Sequence, residues 1–201
     1  MNKLDKCSHK QLEALFWETF FRRYKTVLKG GAEEPLYQPS EEPGTPHCIY
    51  YREDFISSAL HEVAHWCLAG EERRQQVDFG YWYMPDGRDN EQQKHFESVE
   101  VKPQALEWMF SEAAGHTFNF SADNLNGTGE LSDEFKAAVA EQAQRWCRMG
   151  LPARGAEFVD ALGIYFGTPD ALDPLTYELL PGARQQIDDA GFIVSESTVT
   201  H

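Results

Sequence analysis

Residues 54–71 read DFISSALHEVAHWCLAGE, and the period of this stretch decides how the rest of the chain is read. At about 100° per residue, Phe55, Ile56, Ala59, Leu60, Val63, Trp66 and Cys67 gather on one broad arc of a helix. His61 and His65 fall together on the opposite side, beside Ser57 and Ser58. Asp54 is the expected N-cap and Gly70 the expected stop, so the spacing predicts a helix from about Phe55 to about Ala69. The two imidazoles then stand one turn apart in its second half, the separation two histidines need to share one metal ion.

A third ligand is sought nearby. Gly70 can let the chain reverse at the helix end, and a reversal there swings Glu71 back toward His65. That completes a two-histidine, one-carboxylate face with open coordination positions. Glu107, in the run Pro103–Trp108, is the rival third ligand, supplied from a second helix; Glu100 is a further carboxylate of the same kind, and both have an acidic supporting role as the alternative. Glu62 reads three ways: a solvated helix carboxylate, a group that orients a ligand, or the general base of a zinc hydrolase. His95, Glu97 and His116 resemble an oxygenase triad in spacing, but they lie in a segment with helical rather than strand character. The bland reading of His61 and His65 is a polar helix face, and the opposed apolar stripe and the following Gly70-Glu71 weigh against it.

Working outward, Ser8 opens an amphipathic helix through Leu12, Leu15, Phe16, Phe20, Val27 and Leu28, which Gly30-Gly31 ends. Residues 32–46 carry four prolines among acidic residues and read as an irregular loop. His47–Tyr51 is a short β-prone run feeding the histidine helix, and Val77–Tyr83 is an aromatic strand candidate closed by Pro85-Asp86-Gly87. Helices are expected at about 90–98, 103–114, 132–149 and 153–165. Many helices with few strands give an α+β class, a small mixed sheet packed by several helices. The 201 residues, 41% of them hydrophobic, form a single domain over 1–181, with 182–201 as a partly irregular extension.

Composition excludes some partners. A net charge of −15 opposes tracking a nucleic-acid backbone, which needs clustered Lys and Arg. No run approaches membrane-spanning length and no leader precedes the first helix, so a cytoplasmic protein is expected. The four cysteines at 7, 48, 67 and 147 form no Cys-x-x-Cys pair and read as reduced structural thiols. Two histidines and a carboxylate suit zinc hydrolysis and Fe(II) chemistry with dioxygen equally, and the His-Glu-x-x-His pattern by itself favours a zinc-dependent, peptidase-like hydrolase.

The helix-turn-ligand spacing resembles that of metzincins and of the bacterial YbeY-type metalloproteins, although Leu68 stands where those families commonly have glycine. A more specific resemblance reverses the order of the two chemistries. The run from His47 to Asp54, the run from His61 to Arg74, and the blocks Asp78–Tyr83 and Glu100–Trp108 together resemble the bacterial elongation factor P hydroxylase family, over most of the chain to at least Pro181. The resemblance implies a YbeY-like fold and a non-haem Fe(II) enzyme using O2. Its expected reaction hydroxylates the β-lysylated lysine of elongation factor P, as the last step of that protein's modification. Carried over, the metal positions are His61, His65 and Glu71. Tyr81 and Trp82 are then expected to grip the alkyl part of the substrate, with Glu62 or Glu107 receiving its ammonium groups. The resemblance leaves open whether an organic co-substrate such as 2-oxoglutarate takes part.

Overall fold

The Ser8 hydroxyl accepts from the Gln11 N–H while the Gln11 side chain accepts from the Ser8 N–H, and this reciprocal capping box starts α1 (His9–Tyr24). The computed structural model describes residues 7–77, 90–121, 131–179, 184–187 and 193–196. α1 ends earlier than its apolar periodicity suggests. Lys25 takes a left-handed conformation (φ 51°), and the chain turns directly into β1 (Thr26–Ala32). Val27 and Leu28 are therefore strand residues; the β-branched pair Thr26-Val27 suits extended backbone better than helix.

The proline-bearing loop, expected to be irregular, contains a short strand β2 (Leu36–Gln38), and the β-prone run forms β3 (His47–Arg52). β3 is central in the order β1-β3-β2, parallel to β1 and antiparallel to β2, so the sheet is mixed. From β3 the chain enters α2 (Ile56–Leu68), the histidine helix. Phe55, not Asp54, is its N-cap and supplies no side-chain bond; the Asp54 carboxylate instead lies 3.8 Å from His9 Nε2.

The two helices expected over 90–114 are one, α3 (Asn90–Ala114), with Pro103 inside it. Proline removes one backbone bond, but from Pro103 to Ser111 every residue is buried, and that packing carries the helix through. α4 (Asp133–Met149) starts at Ser132, whose hydroxyl donates to Glu97 Oε2 at 2.7 Å and so ties α4 to α3. α5 (Ala153–Phe166) follows, and an antiparallel pair of β4 (Arg184–Ile187) and β5 (Ile193–Glu196) lies within the stretch expected to be a partly irregular extension. Five α-helices and a small mixed sheet among the described residues make an α+β architecture. No helix among the described residues is long and apolar enough to cross a membrane.

The core is aromatic where α1, α2 and α5 meet. Phe16 and Phe20 of α1 lie 5.4 and 5.0 Å from the Trp66 ring of α2, and 5.9 and 5.7 Å from Phe158 of α5. Gly155 lets α5 approach α3 closely, since a Cβ there would stand 3.0 Å from Leu106 Cδ1.

The joint between α1 and the sheet is equally tight. Glu13 Oε1 accepts from the Gly30 N–H at 3.0 Å and from the Tyr51 hydroxyl at 2.9 Å. Burial works to raise the Glu13 carboxyl, but hydrogen bonds from Lys10, Gly30 and Tyr51 outweigh it and hold the group below its ordinary value. A Cβ on Gly30 would sit 2.7 Å from both the Glu53 carbonyl oxygen and the Tyr51 ring. Gly30→Ala is thus expected to destabilise the fold by about 2–3 kcal/mol through overpacking against backbone. A urea-unfolding midpoint equal to that of the parent would show instead that β1 yields freely.

Candidate metal centre

α2 carries His61 and His65 one turn apart, and α3 carries Glu100 and Glu107 seven residues apart, two turns along one face. Where the helices pack, these four side chains meet. His61 Nδ1 lies 2.8 Å from Glu107 Oε2, and His61 Nε2 lies 3.0 Å from His65 Nε2. Glu100 presents Oε1 to His65 Nε2 at 3.4 Å and Oε2 to His61 Nε2 at 3.7 Å. Both carboxylates are buried, and each histidine side chain is about one-seventh exposed.

The tautomer of His61 follows from this geometry. A carboxylate accepts only, so the Nδ1–H donates to Glu107 and the Nε2 lone pair is left facing His65 and Glu100. Two facing imidazole nitrogens at 3.0 Å repel unless a proton or a cation sits between them. The ligand atoms of His61, His65 and Glu100 all lie within 4.8 Å of one another. An ion bonded at about 2.0–2.2 Å, with angles of about 90–109°, separates neighbouring ligand atoms by about 3.0–3.5 Å. The two Nε2 atoms are 3.0 Å apart, and Glu100 offers Oε1 to His65 and Oε2 to His61 at distances in or within about 0.2 Å of that range. The donor set therefore fits one divalent cation, and its two imidazoles and one carboxylate suit zinc or Fe(II).

Burial of the site comes from α3. The side of α2 opposite its apolar stripe is not left to solvent: Ser58, Glu62 and Ala64 are buried along with the stripe. Ser58 Oγ accepts from the Arg52 N–H at 3.0 Å, and Glu62 joins His65, Trp66, Tyr37, Ile49 and Arg74 around a recess of about 20 Å³. That is room for about one water molecule beside His65.

Glu71 lies elsewhere. The chain leaves α2 in an extended conformation at Ala69 (φ −60°, ψ 129°), and Gly70 does not adopt the positive φ of a reversal. A 3₁₀ turn over Arg73–Gln75 follows, and the exposed Glu71 lines a surface cavity of about 350 Å³ with Tyr24, Tyr37, His47 and Arg74. It is outside the convergent group of His61, His65 and Glu100. Glu107 is engaged with the far nitrogen of His61. Glu97 binds the start of α4 and His95 is exposed on α3, so these two are spread over different surroundings. Tyr81 and Trp82, with the rest of the expected aromatic strand from Asp78 on, lie outside the described residues; Val77 is exposed and in no strand.

The sequence carried a signal for Glu100. Glu100, Gln104, Glu107 and Ser111 recur at intervals of four, three and four residues, a polar stripe on one face of a helix that is apolar there apart from Lys102. All four are buried, and the Gln104 amide is satisfied by the Ser121 backbone, donating to its carbonyl at 2.7 Å and accepting from its N–H at 3.2 Å. A polar stripe on a buried helix needs partners, and here the histidine helix supplies those of Glu100 and Glu107.

Residues 15–176 match the family described as elongation factor P hydroxylase. The elongation factor P lysine hydroxylase of Haemophilus influenzae is 46% identical over 166 residues, covering 83% of this chain and 93% of the relative.

Proposed function

The chain belongs to the elongation factor P hydroxylase family and hydroxylates a lysine of elongation factor P, and on that premise we propose that the reaction takes place at a mononuclear Fe(II) centre held by His61, His65 and Glu100. The observation that carries this reading is the convergence of two imidazole Nε2 atoms and one buried carboxylate on a single ion-sized position. Three protein ligands leave coordination positions for dioxygen, which is the requirement of a facial-triad hydroxylase. Bound iron would supply the activation of dioxygen, which is the source of the inserted oxygen atom.

The remaining roles fall to the chain itself. Glu107 fixes the His61 ring by accepting its Nδ1–H, so that Nε2 faces the metal position. Glu62, which lines the recess beside His65, is the acidic group this reading assigns to an ammonium group of the substrate side chain. The same reading takes the β-lysylated lysine as the substrate side chain, a YbeY-like kinship for the histidine helix and its small sheet, one catalytic domain over 1–181, and a cytoplasmic setting.

A zinc hydrolase using Glu62 as base would employ the same donors, so the decisive test is metal exchange. Protein prepared metal-free and reconstituted anaerobically with Fe(II) or Zn(II) is mixed with β-lysylated elongation factor P and a two-electron chemical reductant such as ascorbate, and then exposed to oxygen. An added oxygen atom by mass spectrometry with iron alone supports the proposal. Equal hydroxylation with zinc, or by the metal-free protein, would overturn the iron centre.

A further inference from the structure

Arg154 of α5 reaches across to the carboxyl end of the histidine helix. Its Nη2 lies 3.0 Å from both the Trp66 and Cys67 carbonyl oxygens and within hydrogen-bond reach of the Ala69 carbonyl. The last carbonyls of a helix have no partners inside it, so one guanidinium group serves three of them. Arg74 adds a second donor to Ala69 O at 2.8 Å. The Arg154 guanidinium also lies 4.9 Å from the Trp66 ring and 5.6 Å from the Tyr24 ring, in the angle between two aromatics that meet at 90°.

This placement carries costs that a merely decorative cap would avoid. Burial and the neighbouring Arg74 charge pull the Arg154 guanidinium below its ordinary value, and its Nε–H is buried without an acceptor among the described residues. What the contacts constrain is α2. Imidazole nitrogens stand about 5–6 Å from a helix axis, so a rotation of about 10° moves them by about 1 Å. Metal ligation tolerates about 0.2 Å. α3 meets the histidine side of α2 through Glu100 and Glu107, and Arg154 grips the end of the turn that holds His65.

We infer that Arg154 is a positioning residue for the metal centre, clamping the carboxyl end of α2 and thereby setting the rotation that brings His61 and His65 onto Glu100. The inference rests on the metal-site reading above but not on iron or on the substrate. Metal-free full-length protein, its Arg154→Met variant and its Arg154→Lys variant are titrated with Co(II), recording the visible ligand-field spectrum and the affinity. Circular dichroism of each metal-free protein reports the fold.

Arg154→Met keeps the apolar stem and loses the fork; about tenfold weaker Co(II) binding with an altered spectrum is expected. Arg154→Lys keeps the charge and one donor centre, and it should recover part of the affinity. Should the methionine variant fail to fold, the lysine variant decides by the same two readouts. Parental affinity and spectrum in a folded variant would overturn the clamp and leave the metal site standing. A parent protein that binds no Co(II) would overturn the metal site and the clamp with it.

Discussion

Replacing Glu100 with alanine is expected to reduce hydroxylation of elongation factor P by more than about 100-fold, because loss of a metal ligand costs more than the 10–100-fold typical of the partners behind the ligands. Glu71→Ala should stay within about twofold of the parent. The contrast follows from position. Glu100 is 2% exposed and its two oxygens lie 3.4 and 3.7 Å from the two Nε2 atoms, whereas Glu71 is exposed in the turn beyond α2. Activity and bound metal per chain are measured on both variants, since ligand loss lowers the two together. An active Glu100→Ala protein beside an inactive Glu71→Ala protein would return the third position to Glu71, and would mean that the chain at Gly70 reverses when metal binds.

The Glu107 variants separate a partner of the metal ligand from a substrate contact. With the His61 Nδ1 at 2.8 Å from its carboxylate, Glu107 holds the ring and its tautomer. Glu107→Ala leaves that Nδ1–H without this acceptor, and metal affinity is expected to fall 10–100-fold, with activity recovering as metal is added in excess. Glu107→Gln keeps an oxygen that can accept the bond and loses the charge, so its affinity should fall less. Metal titration followed by kinetics at saturating metal checks both. A raised KM for elongation factor P with unchanged metal affinity would assign Glu107 to the substrate's ammonium groups and remove it from His61.

The two experiments bear on one arrangement, in which a single imidazole spans two carboxylates. His61 contacts Glu107 through Nδ1 and faces Glu100 through Nε2, and those carboxylates sit two turns apart on α3. The order matters for catalysis. A ring fixed on its far side presents its near nitrogen without first having to choose a tautomer or a rotamer, so less is lost when the ion binds. Gln104, between them on the same face, is committed to the Ser121 backbone and helps hold the inward-facing stripe of α3 in place.

Much of this protein was determined by short-range sequence alone. The 3.6-residue period of residues 55–69 is a local property, and it placed His61 and His65 on one side of a helix whose observed bounds differ by a residue at each end. Ser8 and Ser132 announced two helix starts because a cap acts within three residues of itself. The long blocks shared with the hydroxylase family carried the reaction. Tertiary structure decided what depends on residues far apart in the chain. Whether Val27 and Leu28 prolong α1 or pair with β3 turned on a parallel partner some 20 residues later. Pro103 reads as a helix start by its own chemistry, and only burial of the residues after it carries α3 through. The carboxylate proposed as third ligand is the clearest case. Glu71 is six residues from His65 and Glu100 is thirty-five, so proximity along the chain favours Glu71. Helix packing brings Glu100 and Glu107 of the buried stripe on α3 to the imidazoles of α2, which is why the proposed site takes its carboxylate from that helix.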